Sequence, residues 1–98
     1  MSAKPGHQRL RARISGRVQG VGFRWWTVLQ AQGLGLVGWV MNDPDERSVV
    51  IVAEGEPVAL DALERHLAQG PPGAWVDQVE SSREAASGEF SRFSIGRP

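Results

Sequence analysis

The chain of 98 residues has no cysteine, which excludes disulfides, thiolate nucleophiles and Cys-ligated zinc. It has no charge excess either, because eleven basic residues balance eleven acidic ones. Neutralising nucleic-acid phosphates needs a basic excess or at least a basic stripe, so nucleic acid is not expected as the main partner. No apolar run approaches the roughly 18 residues of a membrane span. The segment from Met1 to Leu10 is polar and lacks a signal-peptide core. A cytoplasmic protein with no membrane partner is expected. Histidine is scarce: His7 lies near the N-terminus, and His66 is expected on the exposed side of a helix. No Ser-His-acid set can be built from two such residues. Asp43, Asp45 and Glu54 fall at the first, third and twelfth positions of a calcium loop. Ser48 stands at the sixth position, where glycine is needed, so no metal site is expected.

What is present is ordinary globular material, 41% hydrophobic and 22% charged, which rules out a disordered chain. Area scaling gives roughly 15,500 Å² unfolded and roughly 5,500 Å² folded, so about 65% of the surface would be buried. That suffices for one core without a disulfide or metal staple. Residues 1–7 read as a loose, flexible tail, and 8–98 as a single domain.

From Leu10 the pattern alternates, with Leu10, Ala12 and Ile14 on one face and Arg9, Arg11 and Arg13 on the other. Period two predicts a strand with its arginines on a wet face. Gly16 to Gly22 forms a glycine-rich loop, and Phe23 to Leu34 predicts a helix stopped by Gly33 and Gly35. That helix is apolar around most of its circumference, so one of its faces is expected to stay partly exposed, and Trp25 is assigned to no particular face. Trp26 and Trp39 are expected in the core. Leu36 to Met41 and Val49 to Ala53 read as strands around a turn at Asp43 to Glu46. Pro57 opens a second helix whose Leu60, Leu63 and Leu67 make one buried stripe. Trp75, Val76 and Val79 predict a fourth strand, and Phe93 to Ile95 the end of a fifth. The order strand–helix–strand–strand–helix–strand predicts an α+β fold of the ferredoxin-like, split βαβ kind. Two helices would cover one face of an antiparallel sheet of four to five strands.

The glycine loop carries the chemistry. Gly16, Gly20 and Gly22 lie between a strand and a helix, with Arg17 in the loop and Arg24 in the first helical turn. Such a loop can turn several backbone N–H groups inward, and the helix start adds partial positive charge. The helix dipole disfavours a cation there by about 0.3–1 kcal/mol, unless an anion pairs with both guanidinium and amides. The alternative is a tight turn with Arg24 in solvent. The spacing matches neither the P-loop nor the dinucleotide-binding Gly-x-Gly-x-x-Gly.

The run Gly16-Arg17-Val18-Gln19-Gly20-Val21-Gly22-Phe23-Arg24 resembles the signature of the acylphosphatases. Leu34-Gly35-Leu36-Val37-Gly38-Trp39-Val40-Met41-Asn42 resembles that family's second motif. Gly70-Pro71, Ala74, Val76, Asp77 and the closing Phe93-Ser94-Ile95 match as well, so the likeness runs from about Leu10 to the end. It implies hydrolysis of an acyl phosphate to a carboxylate and inorganic phosphate, without a metal or organic cofactor; the acting unit is expected to be a monomer. Carried over by position, Arg24 would grip the phosphoryl oxygens together with backbone amides of Arg17, Val18, Gln19, Gly20, Val21, Gly22 and Phe23. Asn42 would hold the attacking water through its side-chain amide. Read without the resemblance, Asn42 is a turn residue before Asp43-Pro44.

The chain departs from the family at two places. A basic residue is usual where Met41 stands, and the following hairpin is commonly built on Asp-Gly, whereas here Glu46 follows Asp45. Losing that glycine removes the easy positive-φ position and demands a different turn. The same signature also opens larger hydrogenase-maturation proteins that handle carbamoyl phosphate; the end at Pro98 favours a stand-alone domain. Two non-enzymatic alternatives use the same fold. One is a silent phosphate-binding module. The other is a nucleic-acid-binding module using Arg9, Arg11 and Arg13, although its central strands lack the aromatics that stack bases.

Overall fold

In a computed structural model, residues 3–96 are described; the expected tail, 1–7, falls partly outside them. The element order is β1 (Gln8–Arg17), α1 (Phe23–Gly33), β2 (Val37–Asn42), β3 (Ser48–Gly55), α2 (Pro57–Gln69), β4 (Trp75–Ala85) and β5 (Phe93–Ile95). The strands form one sheet in the order β4-β1-β3-β2-β5. β3 lies antiparallel between β1 and β2, which makes β1-α1-β2 the split βαβ unit.

The period-two pattern of β1 sends Leu10, Ala12 and Ile14 to the helix-covered face. There they pair with Ala53, Ile51 and Val49 of β3. Val28 and Ala31 of α1 and Leu60, Leu63 and Leu67 of α2 close over them in one buried cluster. Each fully buried leucine contributes roughly 1.5–3 kcal/mol by leaving water, which fixes α2 more firmly than its intrinsic propensity. Thr27 satisfies its buried hydroxyl by donating to the Phe23 carbonyl at 2.9 Å. The accessible surface is 5599 Å², close to the area expected from chain length. Among the described residues no helix is long and apolar enough to cross a membrane.

Three expectations need correction. The sheet is antiparallel except at β2-β5, which is parallel. The cause is the segment 86–92, which leaves β4 at one edge, crosses the outer face and enters β5 at the far edge. Arg9 is not on a wet face but only 9% exposed. The crossing segment covers it, and its guanidinium donates to Glu54 and Glu89, both at 2.7 Å, and lies 5.4 Å from the Phe90 ring centre. Trp26 is half-buried, edge-on to Phe23 with ring centres 5.4 Å apart, whereas Trp39 is buried as expected.

β1 ends in an irregularity between Ser15 and Gly16, opposite β4. A Cβ on Gly16 would stand 2.2 Å from the Trp75 carbonyl oxygen, so no larger residue fits this close approach. Past the shift Gly16 and Arg17 stay paired with Val76 and Trp75 of β4, and the chain then enters the loop that leads to α1.

Candidate active site

β1 and β2 run in the same direction, so the loop after β1 and the end of β2 lie at the same end of the sheet. The loop is anchored by Val18, which is 1% exposed, and by Phe23, the first residue of α1. Between them Gly20 and Gly22 take φ of 75° and 77°, left-handed values that a side chain disfavours. Gly22 is the N-cap of α1, with no side-chain cap and no acidic residue in the first turn. Arg24 sits in that turn, exposed, and its side chain makes no hydrogen bond or ion pair among the described residues. The helix start therefore offers unsatisfied N–H groups and an uncompensated cation together, an arrangement favourable only to an anion.

Asn42 closes β2 opposite Val49 of β3, half-exposed. Its side-chain amide has no hydrogen-bond partner among the described residues. The residues that follow it are held firmly. Arg13 donates to both carboxylate oxygens of Asp43, at 3.2 and 3.1 Å, and to Asp45 at 2.8 Å. Asp45 accepts the backbone N–H groups of Arg47 and Ser48 at 2.8 and 2.9 Å, and the Ser48 hydroxyl at 2.9 Å. Arg47's N–H, the Ser48 hydroxyl and Arg13 hold the Asp45 carboxyl below the ordinary range, against a smaller opposing effect of burial. The Asp43 carboxylate above all, then Asp45, raises the Arg13 guanidinium above its usual value. Glu46 follows Asp45 with a positive φ of 63°, a conformation for which the sequence reading expected glycine. The altered turn is thus stabilised by Asp45.

Loop and hairpin are joined by Gln19. Its side-chain amide donates to the Asp43 carbonyl at 3.0 Å and to the Ser48 carbonyl at 2.9 Å. The Gly16 N–H adds a bond to the Arg47 carbonyl at 3.0 Å. Gln19 was expected to contribute only its backbone N–H, and its side chain is the residue that sequence reasoning missed. The available signal was a two-donor amide between small loop residues. Arg17 is exposed and unpaired among the described residues. It lines an open groove of about 550 Å³ with Val18, Gln19, Arg47, Trp75 and Asp77, and this groove includes neither Arg24 nor Asn42.

The other candidates separate from the site. Glu54 lies at the opposite end of β3, bonded to Arg9, Ser87 and Gly88, so it cannot join Asp43 and Asp45 around a cation. No cluster able to hold a metal occurs among the described residues. Arg9, Arg11 and Arg13 of β1 are each paired with acids: Arg9 with Glu54 and Glu89, Arg11 with Glu84, Arg13 with Asp43 and Asp45. They do not form a free basic strip. His66 is half-buried rather than exposed, and its Nδ1 is buried without a partner among the described residues.

Comparison with known proteins bears on the family and the fold. The family model described as acylphosphatase matches residues 10–95. An acylphosphatase of Acaryochloris marina is 52% identical over 88 residues, covering 90% of this chain and 92% of that protein. The crystal structure of acylphosphatase from Bacillus subtilis superposes with a TM-score of 0.87 at 35% identity, covering 91% of this chain and 98% of that one. An acylphosphatase from Coxiella burnetii gives 0.86 at 33% identity, covering 93% and 94%. With a split βαβ sheet, an anion-ready loop at its β1 end and relatives matched along nearly their whole length, the chain belongs to the acylphosphatase family, enzymes that hydrolyse acyl phosphates.

Proposed function

We propose that hydrolysis proceeds here by attack of water on phosphorus, with the phosphoryl group held by Arg24 and the backbone N–H groups of residues 17–23. The Asn42 amide accepts a hydrogen bond from the water through its oxygen and holds it opposite the acyl oxygen. The water oxygen forms a bond to phosphorus while the bond from phosphorus to the acyl oxygen breaks. The carboxylate leaves with its electron pair, and the water proton passes to a phosphoryl oxygen. Such a transition state asks mainly for positioning and charge stabilisation, and a carboxylate leaving group needs little acid help. No protein base and no metal or organic cofactor are therefore required.

The observation that carries this reading is the pairing of an uncapped, acid-free helix start with the unpaired Arg24, at the same sheet end as the unpartnered Asn42. A phosphate-binding module without catalysis has no use for the second feature. The acting unit is proposed to be a single chain in the cytoplasm without a nucleic-acid partner. What supports this is a candidate site built within one chain, the balanced charge and the pairing of Arg9, Arg11 and Arg13 with acids.

The test is hydrolysis of an aryl acyl phosphate in ¹⁸O-labelled water with excess chelator, using the purified protein and Asn42→Ala. Expected are turnover with the label in inorganic phosphate, and a kcat in Asn42→Ala lowered at least tenfold with phosphate inhibition little changed. Label in the carboxylate would place the attack on carbon and overturn the mechanism. Unchanged kcat in folded Asn42→Ala would remove that residue from it.

A further inference from the structure

We infer that the Gln19 side chain is a positioning residue for the reaction proposed above, holding the phosphate loop and the Asn42 hairpin in one fixed register. The inference rests on that mechanism, which needs phosphorus and water to meet in line although different segments hold them. Those segments are separated in sequence, and Gln19 is the side chain that bridges them.

The bridge is chemically specific. The Gln19 amide nitrogen has two hydrogens, and both are used, one on the Asp43 carbonyl and one on that of Ser48. The Asp43 carbonyl also accepts the Glu46 N–H at 3.2 Å, and the Ser48 carbonyl accepts the Asp43 N–H at 2.9 Å. Each acceptor therefore already belongs to the hairpin's own hydrogen-bond frame. The opposite amide orientation would set three oxygens face to face, so the bonding fixes the rotamer. The posts are also tied together by side chains, since Arg13 donates to Asp43 and Asp45, and Asp45 accepts the Ser48 hydroxyl. Asp43 directly follows Asn42, so any drift of the loop relative to these carbonyls is a drift of phosphorus relative to the Asn42 amide.

Misplacement by about 1 Å can cost on the order of 10² in rate. Gln19→Leu keeps the volume and removes the bridge; it is expected to lower kcat about 10- to 100-fold while phosphate inhibition stays within about threefold. The decisive measurement is a double-mutant cycle. In an Asn42→Ala background the same substitution should change kcat less than about threefold, because the partner it positions is gone. Gln19→Glu supplies a second readout should the leucine variant fold poorly. Its carboxylate faces two carbonyls at neutral pH, but the protonated form donates one hydrogen, so its kcat relative to wild type should rise as pH falls from about 7 to about 5. Additive effects in the cycle, parallel loss of phosphate affinity, or a flat relative pH profile for Gln19→Glu would each overturn the inference. A wild type inactive on every acyl phosphate would instead overturn the hydrolytic mechanism, and this inference with it.

Discussion

Arg24 occupies a position that helix electrostatics penalises and that no acidic neighbour repairs. A folded protein retains such a residue at little cost when an anion binds there. Replacing it by alanine should lower kcat/KM by about 10²- to 10³-fold, the loss typical of removing one charge-stabilising contact. Arg24→Lys should recover only part of this, since an ammonium keeps the charge but not the planar fork that meets two phosphoryl oxygens. Steady-state kinetics on an aryl acyl phosphate decide it, and near-wild-type turnover in either folded variant would contradict the role. The roles proposed for Arg24 and Asn42 come from the sequence because each sits in a run that resembles a family motif; Asn42 taken alone reads as a turn residue. Gln19 was legible only as a backbone donor. Which acceptors its amide would meet depends on the hairpin 43–48, brought beside it by strand pairing rather than by chain proximity.

Two elements illustrate how local rules yield to their surroundings. In the β2–β3 hairpin, Glu46 holds a left-handed conformation that costs a side-chain-bearing residue roughly 1–2 kcal/mol, against about 0.5–1 kcal/mol of extra chain entropy for glycine. Glu46→Gly should therefore raise stability by up to about 1 kcal/mol, read as a higher urea midpoint at unchanged slope. A lower midpoint would show that Asp45 and its neighbours have relieved the strain.

The crossing segment 86–92 is fastened by Glu54, which is 2% exposed. Burial works to raise its pKa, but the N–H groups of Ser87 and Gly88, with Arg9, outweigh it and hold the carboxyl below its ordinary value. A lowered folded pKa gives stability that is complete above the unfolded carboxyl range, about 4.3, and is lost as pH falls through the folded value. The stability advantage of wild type over Glu54→Gln should accordingly be full at neutral pH and shrink as pH falls below about 4. Chemical denaturation at several pH values checks this, and a pH-independent difference would mean that Glu54 is not held as the carboxylate. The sequence could not reveal this arrangement. Arg9 follows the same alternation as Arg11 and Arg13, and only the return of the chain across the outer face buries it.

At the scale of the whole molecule, the proposed site is assembled where β1 and β2 end together, so on the proposed reading only the native fold would bind the anion. Inorganic phosphate should then stabilise by mass action, by about 1.4 kcal/mol at ten times its dissociation constant. For a domain of this size that is a rise in melting temperature of roughly 6–11 °C. Calorimetry with phosphate, and with sodium chloride at equal ionic strength, separates binding from screening. Arg24→Ala should lose most of the shift, and a wild-type shift no larger than that with chloride would count against the anion site.

The alternation of β1, the leucine stripe of α2 and the two glycine-marked motifs determined the element order, the helix-covered face, the family and the two proposed reacting side chains. These are short-range signals, because strand and helix periods and left-handed glycines act within a few residues of themselves. Tertiary structure alone decided which arginine is buried, that β5 runs parallel to β2, how Glu46 is accommodated, and where Gln19 points. Each of these depends on a carbonyl, carboxylate or strand edge supplied from a distant part of the chain, and its position exists only once the sheet has formed.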